Sequence, residues 1–352
     1  MDRPKEFIAR QLTAGTAAAS GDSAQAHNDR AALLLLNGDI DGAGRECAAA
    51  LAADPDNPAA LNNLGFLLAQ QDRLREAIEL YERALTIDPN RAMALNNLGN
   101  AHAVLGDLDA AFDAFGRAVR SDPENVLAWD NLGRLCLAAG RLSDAEEAWR
   151  NALDVSPREA RFYLNLGIAV AAQNRLDEAV ALLDRATALD PENAASWVQL
   201  GLVLLGRQDL GSATTALRHA LSLTPEDVAV RHRLATVLLA RGERAKAVQE
   251  FERILALQPQ DVPAALDLGI IALSDGKPGD ALLRFDAVLA NEPGNPRARY
   301  YRGLTLQLLG EAADAAVEFD VLSRSDATDG EPAKYAAWAR SRLAEAQDAV
   351  AR

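Results

Sequence analysis

The chain has 352 residues and a formal net charge of −15. Such an acidic balance excludes a general electrostatic hold on a nucleic-acid backbone, and no apolar run reaches the length of a membrane span. The length would ordinarily suggest two or more globular domains, but a strict internal repeat overrides that expectation.

Residues 1–23 form a leader without the apolar core of a signal peptide, because Lys5, Glu6 and Arg10 interrupt it. Phe7, Ile8 and Leu12 could give a short helix docking on the first repeat, with a disordered leader as the alternative. Ser23 is positioned to cap the first helix. Nine units then follow without insertion: 24–57, 58–91, 92–125, 126–159, 160–193, 194–227, 228–261, 262–295 and 296–329. Leu64-Gly65 recurs 34 residues on as Leu98-Gly99, then as Leu132-Gly133, Leu166-Gly167 and Leu200-Gly201. Prolines hold the same step from Pro55 through Pro89 to Pro293, and a fixed period of this kind decides the fold before local propensity does.

Within 58–91, Leu61, Leu64 and Leu68, then Ala77, Leu80, Tyr81 and Ala84, lie three to four residues apart, which predicts one helical stripe broken once and resumed. The break falls at the fifteenth place, where six units carry glycine and Asp72 and Asn174 stand in two others, with Gln208 the exception. These are residues that accept the left-handed turn ending a helix. The second helix ends ahead of the Asp-Pro or Ser-Pro step, since proline disfavours a helical residue before it. The eighth place is glycine in seven units, and the twentieth is alanine in all nine, from Ala43 through Ala145 to Ala315. Both predict close helix contact. After the repeats, residues 330–352 read as a capping helix with Tyr335, Trp338 and Leu343 on one side and Lys334, Arg340, Arg342 and Glu345 on the others.

These residues resemble the tetratricopeptide repeat family. The pattern stands almost whole at 126–159, as Trp129, Leu132-Gly133, Cys136, Ala145, Trp149, Ala152 and Pro157. The first and ninth units depart from it: His27 and Arg30 replace apolar residues, Arg302 replaces leucine and Ala327 replaces proline. Atypical end units are expected in a solenoid, since each has one neighbour only. The resemblance implies an all-α fold, a right-handed superhelical solenoid of nine hairpins plus a C-terminal capping helix. It also implies that first helices line a concave side and second helices a convex one.

No chemistry-bearing constellation stands out. The four histidines lie in different units without Cys, Asp or Glu at metal-ligand spacing, and His102 reads as an interior residue of its stripe. No glycine-rich phosphate loop occurs. Glu146-Glu147 and Asp177-Glu178 open second helices, where they complement the helix dipole. Neither an enzyme, a metal nor a cofactor is expected. Cys47 and Cys136 occupy core places of different units and favour a reducing, cytoplasmic compartment, and the alanine- and arginine-rich usage suggests a bacterial source.

The sixth place of successive first helices carries Asn63, Asn97, Asn131, Asn165 and then Gln199, with Asn62, Asn96 and Asp130 beside them at the fifth. An amide is both donor and acceptor, so such a ladder could clamp the backbone of an extended peptide. The ladder is similar to that in the repeat array of O-linked N-acetylglucosamine transferases, which implies the same role for Asn63, Asn97, Asn131 and Asn165. Farther on the character changes. Unit 228–261 holds six basic and four acidic residues, with Arg231, His232 and Arg233 on its first helix. The ninth unit adds Arg297, Arg299, Tyr300, Tyr301 and Arg302. Guanidinium groups suit carboxylates, so these predict a site for an acidic segment or a free C-terminal carboxylate, unless they pair with acids such as Asp267.

The reading that follows is a protein-interaction scaffold or adaptor binding a peptide or partner segment in its groove. Two alternatives stay open: the recognition array of a separate or truncated glycosyltransferase-like enzyme, and a self-assembling scaffold. The oligomeric state is open.

Overall fold

The computed structural model describes residues 23–325 and 329–350. The leader expected at 1–23, apart from Ser23, and the Ala327 departure lie outside the described residues. Every described element is an α-helix. The contacts divide the chain into two compact units, one ending at Leu189 and the next beginning at Asp190.

The first unit holds five hairpins. Their first helices are Ala24–Leu36, Pro58–Gln70, Ala92–Leu105, Val126–Ala138 and Ala160–Ala172. The second helices are Ile40–Ala53, Leu74–Ile87, Leu108–Ser121, Leu142–Val155 and Leu176–Leu189. The second unit holds four more. Its first helices are Ala194–Gly206, Val228–Ala240, Val262–Ser274 and Pro296–Leu309, its second helices Leu210–Leu223, Arg244–Leu257, Pro278–Asn291 and Ala312–Ser323. A single helix, Gly330–Val350, ends the described chain.

Local chemistry accounts for most first-helix starts and for the turn within each hairpin. The last place of the preceding unit caps most first helices: Asn57, Asn125, Asn193, Asp227, Asp261 and Asn295 each accept from the backbone N–H three residues on, as Ser23 does at the start. This satisfies one of the unpaired donors at a helix N-terminus. All nine fifteenth-place residues take positive φ, including Asp72 (61°), Asn174 (63°) and the exception, Gln208 (66°). The turn therefore holds its geometry even where its sequence is unfavourable, at the cost of strain that glycine would not carry.

Packing explains the small residues. All nine twentieth-place alanines are 0% exposed. A Cβ built on Gly133 would lie 2.7 Å from the indole of Trp149, and on Gly99 2.7 Å from the ring of Phe115. The eighth-place glycine is thus the seat of the large side chain sixteen residues on, which builds the core of each hairpin. In the first hairpin the eighth place is Ala31 and the residue sixteen on is the small Cys47, both fully buried.

In the last helix Tyr335, Ala336, Ala339 and Ala346 are buried. Trp338, expected on the covered side, is 40% exposed. It borders the buried stripe, its ring 5.5 Å from Tyr300 and 5.3 Å from Tyr335, with the Lys334 ammonium 4.6 Å over its face.

Candidate functional site

In the first unit the amides form a ladder, but one bonded within the protein. Each sixth-place asparagine donates Nδ2–H to the fifth-place side chain of the preceding hairpin. Asn63 donates to Asn28 Oδ1 at 2.8 Å, Asn97 to Asn62 at 3.0 Å, and Asn131 to Asn96 at 2.9 Å. Asn165 donates to Asp130 at 3.3 Å. The clasp repeats because side chains at these two places on neighbouring first helices meet once every unit. The fifth place of the fifth hairpin is Leu164, which offers no acceptor, and Gln199 stands in the second unit.

Burial divides the pairs. Asn62 and Asp130 are 2% and 5% exposed, whereas the sixth-place asparagines are half-buried. Asp130 also accepts from Trp149 Nε1 at 3.0 Å and pairs with Arg161 at 3.2 Å, so three donors compensate one interior carboxylate. Each sixth-place amide commits one N–H and keeps another. Phe66 (37% exposed), Val104 (71% exposed) and the exposed Arg134, without an ion pair among the described residues, occupy helical positions on the same face.

In the second unit, the structure pairs most of the arginines expected to meet a ligand with acids of the protein. Arg231 is buried, paired with Glu250 at 2.5 Å and donating to the carbonyl of Pro225. Arg299 pairs with Glu318 at 2.8 Å and donates to the Pro293 carbonyl at 2.6 Å. Arg302 bridges Asp286 at 2.6 Å and Glu318 at 2.5 Å. Arg297 meets Asp267 at 3.1 Å, and burial pushes the Asp267 carboxyl above the usual range while Arg297 pulls it down. Tyr301 packs among Phe285, Tyr300 and Tyr335, with ring centroids 5.9, 5.6 and 6.4 Å away. Of the arginines expected to meet an acidic ligand, Arg233 alone is exposed without an ion pair among the described residues.

One signal for this pairing was present in the sequence. A glutamate stands at the twenty-third place in three units only, as Glu46, Glu250 and Glu318, and these are the units whose fourth place is basic: His27, Arg231 and Arg299. The structure joins all three pairs, His27 Nδ1 to Glu46 at 2.7 Å and the arginines as above. Another recurrent bond runs from the fourth place back to the proline carbonyl six residues earlier. Trp129, Tyr163 and Trp197 make it to Pro123, Pro157 and Pro191, at 2.9, 3.1 and 2.8 Å. A helical polar tip thereby ties down each corner.

Among the described residues no group of three His, Cys, Asp or Glu could hold a metal ion. His102 is mostly buried, 3.5 Å from Asp107. Both cysteines are free and buried, and burial together with Glu46 pushes the Cys47 thiol up to about 11. No described helix is long and apolar enough to cross a membrane.

Consecutive helix hairpins with a 34-residue period, small residues at each helix contact and a polar first-helix face define an α-helical repeat array. Models of the tetratricopeptide repeat match residues 9–58, 131–194 and 266–332, more than half of the chain, and others match 56–124 and 103–149. The chain belongs to the tetratricopeptide repeat family, whose members are typically protein-interaction scaffolds and generally non-catalytic. Residues 179–298 also match the model of the cytochrome c-type biogenesis protein H repeat domain. No curated protein matches the sequence significantly.

Among solved structures, the chain is similar to PilW, a type IV pilus biogenesis factor, at 22% identity and a TM-score of 0.50, over 59% of this chain and 96% of that one. It is similar to Pseudomonas aeruginosa pilF at 23% identity and 0.49, over 61% and 97%. YrrB, a repeat protein with an unusual peptide-binding site, aligns at 22% identity and 0.48, over 53% and 96%. At these identities the likeness is one of fold.

Proposed function

We propose that the first-helix face of the first five hairpins holds an extended segment of a partner protein, with the ladder amides bonding its backbone. The observation behind this reading is that Asn63, Asn97, Asn131 and Asn165 are half-buried and each held by one N–H. The second N–H stays fixed in direction at one repeat interval. A peptide backbone offers an unpaired carbonyl at every residue, and pre-oriented donors lose little freedom on binding it. Phe66, Val104 and Arg134 alongside would favour apolar and acidic side chains in the occupant. A reducing, cytoplasmic setting fits the two unpaired cysteines and belongs to the same proposal.

The test measures affinity for a partner segment captured by the full chain, at a temperature where every variant is folded. Asn97→Ala with Asn131→Ala should weaken binding about tenfold, or about 1.4 kcal/mol. Arg117→Ala on a second helix should not change it. Equal affinity in both variants would place the binding face elsewhere.

A second reading, contact with an acidic segment or terminal carboxylate in the second unit, rests on Arg233, an exposed first-helix guanidinium without an ion pair among the described residues. Arg233→Glu should then weaken binding more than Arg233→Ala, and the difference should shrink as salt rises. Indifference to both substitutions removes this reading.

A further inference from the structure

On the exposed side of each second helix, places 19, 22, 26 and 29 of the repeat recur three and four residues apart and so form one stripe. Through the second to seventh hairpins its middle is polar apart from Ala181, as at Arg83, Arg117, Arg185 and Arg253. In the eighth and ninth it turns apolar. Leu283 is 70% exposed, Val317 59% and Val321 48%, with Ala287 exposed beside them. Branched aliphatic side chains open to water in a row, where other copies of the same repeat carry mostly charged or polar ones, mark an interaction surface.

The ninth hairpin's stripe reads Asp314, Val317, Val321, Arg324, an exposed acid before the aliphatic pair and an exposed base after it. We infer that this surface binds a second copy of the chain, the two Ala312–Ser323 helices packing antiparallel about a two-fold axis. In such an isologous contact, residues equally far from the crossing point oppose one another. With the axis at Phe319, Val317 faces Val321 of the second copy and Asp314 faces its Arg324, twice over. The charges thus match the surface to itself, a match that an unrelated partner would not require. Arg324 is 77% exposed and, among the described residues, pairs with Asp320 at 2.6 Å, which leaves guanidinium N–H groups for the second copy. Leu283 and Ala287 extend the apolar surface from the eighth hairpin. The inference concerns second helices and does not depend on the peptide-binding reading.

Sedimentation of the full chain over a dilution series tests it. The wild type should show a monomer–dimer equilibrium. Val317→Glu with Val321→Glu should be monomeric throughout while keeping the helical circular dichroism of the wild type and the melting curve of the dilute, monomeric wild type. Asp314→Arg alone and Arg324→Asp alone each set like charges opposite one another and should weaken the dimer about tenfold. The two combined re-create the match in reverse and should restore it. A wild type monomeric up to its solubility limit overturns the inference. So does a dimer indifferent to the valine changes, or a double charge variant no better than its parents.

Discussion

Asn97→Ala tests the internal clasp where water has least access. Asn97 donates to Asn62 Oδ1 at 3.0 Å, and Asn62 is 2% exposed, its own Nδ2 reaching Asn63 Oδ1 only at 3.4 Å. Removing the donor loses an amide–amide bond of about 0.5–1.5 kcal/mol net and leaves a carbonyl oxygen poorly solvated, together about 1–3 kcal/mol. Asn131→Ala loses an equivalent bond to Asn96, but Asn96 is half-exposed. Water can replace that donor, and the cost should stay near about 0.5–1.5 kcal/mol. Urea denaturation of both variants, followed by circular dichroism, gives the ranking. A double-mutant cycle with Asn62→Ala isolates the pair, provided the slope of unfolding is unchanged. An Asn97→Ala midpoint equal to wild type, or a larger loss for Asn131→Ala, would refute the clasp. The ladder would then be free to serve a ligand alone.

Three further outcomes follow from the packing and the charges. Ala145→Leu, at a fully buried helix contact, should lose about 1–3 kcal/mol by overpacking, read from the same denaturation curves. Gln208→Gly relieves a left-handed φ of 66° and should raise stability by about 0.5–1 kcal/mol, whereas Gly140→Gln should lower it. Burial alone would raise the Glu146 carboxyl, yet hydrogen bonds from Arg150, Gln173 and Arg175 outweigh it and hold the group at about 2. Because the folded value is depressed, this contribution is present above the ordinary carboxylate range and is lost as pH falls through it toward about 2. Wild type should therefore lose more stability than Glu146→Gln across that window in acid titrations of the melting temperature.

The fold was legible because the repeat states it many times over. Leu-Gly, the twentieth-place alanine and the unit-end proline each point to the same hairpin, and the helices begin at the first and seventeenth places of every unit. Gln208 shows how strongly the array enforces its pattern. The residue is a poor choice for a left-handed turn, but eight other copies and the packing on either side of the turn impose the conformation. The asparagine ladder was visible only in part. A one-dimensional reading places four amides in register but cannot tell that the fifth place of one hairpin is the acceptor for the sixth place of the next. That pairing depends on how far one first helix is offset against its neighbour. The same limit applied to Trp338, whose position relative to the covered stripe turns on the angle at which the last helix docks.

The charged residues carry the larger lesson. His27, Arg30, Arg299 and Arg302 break an apolar pattern in the two end hairpins, and a surface role is the natural inference from sequence. Yet His27 and Arg30 both meet Glu46, and Arg299 and Arg302 both meet Glu318. The two terminal hairpins have thus replaced the same apolar contact between fourth, seventh and twenty-third places with the same kind of ionic one. A buried or half-buried guanidinium without its acid would be costly, so the exchange is stable only when both members change together. This is why Glu46, Glu250 and Glu318 appear where they do and nowhere else in the repeat. A basic residue at the fourth place is therefore a prediction about its own hairpin before it is one about a ligand. A base set away from the fourth and seventh places, as Arg134 and Arg233 are on their first helices, meets no acid among the described residues and is left to meet a partner.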